Sequence, residues 1–280
     1  MDRIVAALKN HAPRKGVEFT LNENEADLVV LHVIGYPETV EHVKALRDAD
    51  KRYVIIQYNM RSTQCPDIKG WEEIWHNARL VWSYYDLRAM AAADQATFSF
   101  PFYQSPLGVD PVFGQFVQMG YSVKLYTMMS SGFLAESETV GEVAEAIKRV
   151  GGRHFHLGPK EVAPNADQWG LGISDYLLAD VYSRCCWVAG LRRCEGFEMP
   201  AAEGLVCGAR PIMFDAPHYR QWFDGMAEFI PETNDFEATV SSIVEIFNRG
   251  FRLVNEEERQ AAMSRFNWKN IIPGFWEGVL

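Results

Sequence analysis

No stretch of the chain holds the roughly 20 consecutive apolar residues that a membrane-crossing helix requires. Stable membrane insertion is therefore not expected. The opening segment, DRIVAALKNHAPRKG, has neither an apolar h-region nor a small-residue cleavage site, and a cytoplasmic location is the expectation. Cysteine is scarce: five in 280 residues, at Cys65, Cys185, Cys186, Cys194 and Cys207. They form no CxxC pair and no His/Cys zinc spacing, which argues against a disulfide framework and a structural zinc. Buried reduced thiols are expected. Cys194 adjoins Glu195, but no base stands next to it to make it a nucleophile. Positive charge is also in short supply, with 27 Lys/Arg against 37 Asp/Glu and a net charge of −10. Residues 1–118 carry 12 Lys/Arg against 15 Asp/Glu, and residues 119–280 carry 15 against 22. Neither half is a general polyanion binder, although a local basic groove stays compatible with these counts. Internal repeats and low-complexity tracts are absent.

What the chain does have is alternation. Short runs rich in β-branched and aromatic residues stand at 26–33, 52–58, 78–83, 97–102, 123–129, 153–158, 186–190, 210–214 and 227–231. Each is bounded by Gly, Pro, Asp or Asn and predicts a strand. Between them lie segments with apolar residues three and four apart, as at Val140, Val143, Ala144 and Ile147, which predict helices. Thr139 with Glu142 predicts a capping box for 139–150, Ser174 caps 175–184, and Asp235 caps 236–249. Strands alternating with helices give parallel sheets with right-handed crossovers. Nine strands are too many for one small sheet, so two Rossmann-like α/β lobes are expected. The PLGVD turn (106–110) and the stretch after it form the best linker, with the boundary near residue 118.

The segment CWVAGLRRCEGFEMPAAEGLVCGARPIMF carries the most chemistry. Strand 186–190 runs into a polar loop holding Glu195, the chain turns at Gly196, and Pro200 stands where a first helical turn tolerates it. The helix then runs to about Cys207, where Gly208 stops it. A loop entering a helix at the carboxyl end of a parallel strand is the usual ligand position in open α/β sheets. The helix N-terminus offers free N–H groups to a phosphate. Glu195 before the helix and Glu203 one turn into it are good acceptors for the hydroxyls of a sugar and a ribose.

EGFEMPAAE, with its Glu-x7-Glu spacing and internal Gly-Phe and Pro, resembles the donor signature of retaining glycosyltransferases of the GT-B fold, family 4. Other segments agree in order. ADLVVLH resembles that family's N-terminal-lobe strand ending in His, which places His32. NARLVWSY resembles its strand before the interdomain helix, SPLGVDPVF its linker strand, and FNWKNIIPGFW its C-terminal Trp-containing helix. The resemblance covers about residue 26 to the end.

It implies two Rossmann-like parallel-sheet lobes with a cleft between them: an acceptor-side lobe at 1–118, a nucleotide-sugar lobe at 119–265, and a helix at 266–280 crossing back to the first lobe. It implies that Glu203 binds ribose, that Glu195 contacts the transferred sugar, and that backbone N–H groups near Gly196, Phe197 and Met199, beside Pro200, face the sugar or phosphates. His32 would lie near the anomeric carbon. Two departures stand out. Only about 25 residues precede ADLVVLH, so the N-terminal lobe is expected to be trimmed, with a partner able to complete it. The Arg and Lys that the family places after the first strand of its C-terminal lobe are replaced by MMSSGFLAES. Ser130, Ser131 and Gly132 could donate hydrogen bonds there, and Arg193, or Arg184 and Lys160, could supply charge.

Three further features have plainer readings. Asp48-Ala-Asp50 has the form of a metal-binding DxD but closes a helical segment, and reads as a solvated turn. Trp71, Trp75, Trp82, Tyr84 and Tyr85 read first as core, with stacking on a sugar or base as the alternative. The first fifteen residues read as a helix packed on the sheet. The expected function is retaining transfer of a hexose-like sugar from a nucleoside diphosphate sugar, most readily a UDP-sugar, with no metal and no other cofactor. The acceptor hydroxyl belongs to a glycan, a small molecule or a modified DNA base. One alternative is an enzyme acting on modified bases of phage DNA. Another is a non-catalytic sugar-nucleotide-binding subunit of a complex, suggested by the missing diphosphate cations.

Overall fold

The computed structural model describes residues 2–13, 16–34, 37–58, 68–115, 123–133, 138–193 and 196–280. They divide into two compact units, the first comprising 1–108, 195–197 and 267–280 and the second 109–194 and 198–266. Residue 118, where the sequence sets the boundary, lies outside the described residues.

In the first unit the chain runs α1 (Asp2–Asn10), β1 (Leu28–Val33), α2 (Pro37–Asp48), β2 (Arg52–Gln57), α3 (Ile68–Trp75), β3 (Val81–Ser83), α4 (Leu87–Ala93) and β4 (Phe102–Gln104). The strands form one parallel sheet in the order β1-β2-β3-β4. β2 is buried from Tyr53 to Gln57, as a strand covered on both faces should be. β1 is placed differently from β2. Among the described residues it stands at the sheet edge, and its burial alternates, with Val29, Leu31 and Val33 buried and Leu28, Val30 and His32 half-open. The five aromatics Trp71, Trp75, Trp82, Tyr84 and Tyr85 are all buried. Two of the indoles bond inside the unit: Trp75 Nε1 donates to Gln57 Oε1 at 3.1 Å and Trp82 Nε1 to Ser105 Oγ at 2.7 Å. Asp48 ends α2 and Asp50 has φ 51°, so the DxD stretch is a turn.

The second unit runs α5 (Val112–Gln115), β5 (Tyr126–Ser131), α6 (Val140–Arg149), β6 (His154–Leu157), β7 (Gln168–Gly170), α7 (Asp175–Ser183), β8 (Cys185–Gly190), α8 (Met199–Val206), β9 (Arg210–Phe214), α9 (Pro217–Phe223), β10 (Glu228–Ile230), α10 (Phe236–Arg249) and α11 (Glu256–Arg265). Its six parallel strands are ordered β10-β9-β8-β5-β6-β7, with β8 and β5 in the centre. The last helix, α12 (Trp268–Val279), returns to the first unit and buries Trp268, Ile271, Ile272, Phe275, Trp276 and Val279. Its start explains Gly108: a Cβ there would stand 2.3 Å from the Trp268 ring.

Caps at Ser174 and Asp235 form as the sequence predicts, each side chain accepting from a first-turn N–H. The capping box at Thr139 does not form. Thr139 has φ 56° and no side-chain cap bond. Its hydroxyl instead donates to Leu191 O at 2.5 Å, and Glu142 is taken by Arg193 at 3.0 Å. The strand expected at 97–102 is also displaced. Pro101 has no N–H for a ladder, so pairing begins at Phe102, while Phe98 and Phe100 pack together at 4.3 Å.

Candidate functional site

The carboxyl ends of β5, β6 and β8 converge in the second unit, as they must in a parallel sheet where the three strands are neighbours. β8 ends at Gly190, and two arginines follow Leu191. Arg192 is the one turned to the neighbouring strand end. Its Nη2 donates to Ser131 Oγ at 3.2 Å, its Nε lies 3.5 Å from Glu138 Oε1, and its Nη1 lies 3.9 Å from Glu198 Oε2. Glu198 is fully buried at the N-cap of α8, and the Tyr219 hydroxyl lies 3.3 Å from its Oε1 and 3.0 Å from Arg192 O. The result is one cation held among carboxylates, a serine and a helix N-terminus.

The sequence singles out Arg193, but its guanidinium is committed elsewhere. It donates to Thr139 Oγ1 at 3.0 Å, to Glu142 Oε1 at 3.0 Å and to Thr233 O at 3.0 Å, and lies over the Phe214 ring. It ties together the start of α6 and the loop after β10. Arg192 is the member of the pair that the sequence does not single out and that reaches Ser131. The signal was the pair itself, directly after an apolar strand, but which of two adjacent side chains reaches β5 depends on the twist of the strand end. Of the other two cations, Arg184 pairs with Asp180 at 2.9 Å and Lys160 lies over the Trp169 ring at 4.7 Å.

Ser130 and Ser131 close β5 side by side and face opposite ways. The Ser130 hydroxyl is buried and bridges His154 Nε2 at 2.7 Å and His156 Nδ1 at 2.9 Å. Burial, then the neighbouring His156, lowers the pKa of His154 to about 4, and burial lowers that of His156 as well. Ser131 faces Arg192. Gly132 N donates to Leu157 O at 3.1 Å, and a Cβ on Gly132 would meet the Glu138 carboxylate at 2.3 Å.

Met199 and Pro200 open α8, and Glu203, one turn in, is 3% exposed with Oε2 3.3 Å from the Tyr182 hydroxyl. Burial, reinforced by Glu203, pushes the Tyr182 phenol well above its ordinary pKa. Glu195 and Cys194 lie outside the described residues. Gly196 and Phe197 belong to the first unit. A Cβ on Gly196 would stand 2.2 Å from the Tyr85 ring, and the buried Phe197 ring packs 5.8 Å from Tyr84. His32, also in the first unit, is near the carboxyl end of β1, and Nδ1 of its ring lies 2.5 Å from the Tyr58 hydroxyl.

A pocket of about 350 Å³ lies elsewhere in the first unit, lined in part by Glu72, His76, Thr97 and Phe100. It sits at the amino ends of β3 and β4, away from the strand ends where open α/β sheets bind ligands. Among the described residues no group of three or more His, Cys, Asp and Glu side chains is placed to hold a metal ion, and no helix is long and apolar enough to cross a membrane.

No protein-family model and no curated protein sequence matches the chain. Solved structures do. The chain is similar to a sucrose-phosphate synthase from Thermosynechococcus elongatus, with a TM-score of 0.68 at 13% identity, over 90% of this chain and 72% of that one. It is similar to HepE from Anabaena in complex with UDP-glucose, with a TM-score of 0.64 at 12% identity, over 90% and 78%. It is similar to the pneumococcal O-GlcNAc transferase GtfA in complex with UDP and GlcNAc, with a TM-score of 0.62 at 16% identity, over 99% of this chain but 59% of that one. The chain therefore has a GT-B-like fold, built from two α/β units with parallel sheets of four and six strands.

Proposed function

We propose that the protein is a glycosyltransferase that moves a sugar from a UDP-sugar to an acceptor hydroxyl, with retention of configuration at the anomeric carbon. The observation that carries this is Arg192, held at the carboxyl ends of β8 and β5 between Ser131, Glu138 and Glu198. That is where an open α/β sheet binds its ligand, and a diphosphate leaving group needs a cation there. A diphosphate carries more charge than either carboxylate, so it competes well against contacts of 3.5 and 3.9 Å. Solved structures of similar fold contain UDP or UDP-glucose, which favours uracil as the base.

In this scheme Glu203 accepts the ribose hydroxyls, and the N–H groups at the start of α8, by Met199 and Pro200, face the phosphates. Ser131 and Gly132 line the diphosphate side. Glu195 contacts the transferred sugar, with Gly196 and Phe197 shaping the turn beside it. His32 acts near the anomeric carbon as the glycosidic bond to phosphate breaks. Charge on the departing diphosphate is met by Arg192 and backbone dipoles, so the reaction needs no metal.

The test is incubation of the protein with a panel of nucleotide sugars, with and without candidate acceptors, in excess chelator. Release of UDP from one donor and an α-linked product are expected. Binding of a donor without release under any condition would instead make the chain a donor-binding subunit. Activity lost to chelator and restored by manganese would overturn the metal-free scheme.

A further inference from the structure

His32 and Tyr58 are brought together by strand register. β1 and β2 run parallel with His32 opposite Ile56. Tyr58 is two residues beyond Ile56, so both side chains stand on the same face of the sheet as diagonal neighbours. Tyr58 is fixed from two directions: its N–H donates to Val33 O at 3.1 Å, and its carbonyl accepts from the buried hydroxyl of Tyr84. The two rings stack with centroids 5.7 Å apart at 17°. The phenol oxygen lies 2.5 Å from His32 Nδ1, and His32 sits on the half-open face of β1.

We propose that the Tyr58 hydroxyl sets the tautomer of His32, donating to Nδ1 so that the ring proton stays on Nε2, and so makes His32 a hydrogen-bond donor rather than a general base. A phenol is a far stronger acid than a neutral imidazole N–H, and the imidazole lone pair is the stronger base. The O–H···N arrangement therefore matches donor to acceptor. Burial favours the neutral form of each partner: it lowers the pKa of His32 and raises that of Tyr58. With Nδ1 occupied, Nε2–H is the ring's polar group left for a substrate. It can donate to a sugar hydroxyl or to the oxygen that gathers charge as the donor breaks. Tyr58 is thus a positioning residue, acting through His32. What His32 then does rests on the glycosyl-transfer proposal; the tautomer does not.

The experiment is long-range nitrogen–proton correlation NMR on the full chain labelled with ¹⁵N-histidine, with the His32 signals assigned by their loss in His32→Gln. The wild type should show a protonated Nε2 and an unprotonated, hydrogen-bonded Nδ1. Tyr58→Phe keeps the stacked ring and removes the donor, and should shift the tautomer ratio by roughly tenfold, the scale of one net hydrogen bond. A proton on Nδ1 in the wild type, or a Tyr58→Phe spectrum identical to it, would overturn the proposal. In the transfer assay Tyr58→Phe should lower kcat by roughly tenfold with KM for the nucleotide sugar within about twofold. A tautomer shift with unchanged kcat would overturn the positioning role. Failure of every donor to react, with the NMR result intact, would count against glycosyl transfer and leave the tautomer assignment standing.

Discussion

Arg192 and Arg193 differ in what they touch. Arg193 is consumed by Thr139, Glu142 and Thr233, all within the second unit. Arg192 meets Ser131 and two carboxylates. Arg192→Gln should therefore weaken nucleoside diphosphate binding by ten- to hundredfold, since a charge-assisted hydrogen bond is worth roughly 1.5–3 kcal/mol. Calorimetry showing wild-type affinity in a folded Arg192→Gln protein would remove Arg192 from the site. A second residue-scale prediction concerns acid. His154 is buried against Ser130 and His156, its backbone N–H donates to Asp167 at 2.7 Å, and its pKa is lowered to about 4. In the unfolded chain an imidazole titrates near 6.5. The unfolded state therefore binds the extra proton first. The stabilisation is complete above about pH 6.5 and is lost as the pH falls toward 4, by up to about 3 kcal/mol. Urea midpoints at about pH 7.5 and about pH 5 should fall further apart in the wild type than in His154→Gln. Equal drops would show that His154 is not the group responsible. The histidines illustrate what single residues conceal: HFH reads as an alternating strand, and nothing local says that both imidazoles share one serine from the next strand.

At the scale of elements, local chemistry was legible where it acts locally. Ser174 and Asp235 cap as their positions predict, and Pro200 opens α8 as a first-turn proline should. Elements were misread where tertiary partners outbid local ones. Thr139 has the residue type of a cap, but Leu191 O and Arg193 claim its hydroxyl. β7 spans only Gln168–Gly170 at a sheet edge, too short to show a period. β1 was legible as a strand from its apolar run, but not as an edge, because neighbour order is set by the whole sheet. α12 shows the energetic side. Phe275 is fully buried, with its ring 5.4 Å from Trp82 and 5.2 Å from Trp276. Phe275→Ala should cost about 3–5 kcal/mol in urea unfolding through transfer and cavity terms together. A loss below about 1 kcal/mol would mean that α12 is not part of the first unit's core.

At the scale of the molecule, alternation of strands and helices implied parallel sheets, and the count of strands implied two of them; both are present. The strand–loop–helix segment from β8 through α8 was legible in outline, because Pro200 marks the start of the helix and Gly208 follows its end. Its chemistry was less so. Ser130 and Ser131 cannot be told apart by sequence, yet one faces a histidine pair and the other the arginine. The central claim is that this loop and the start of α8 bind a nucleoside diphosphate. Glu203 is its most exacting point, buried on α8 beside Tyr182 and assigned to the ribose. The direct measurement is calorimetric titration of UDP into the wild-type protein and into Glu203→Ala, with melting temperatures to confirm that both are folded. Saturable one-to-one binding is predicted for the wild type, weakened by roughly tenfold or more in the variant through loss of a charge-assisted bond. Absence of binding to the wild type, or equal affinity in the two folded proteins, would contradict it.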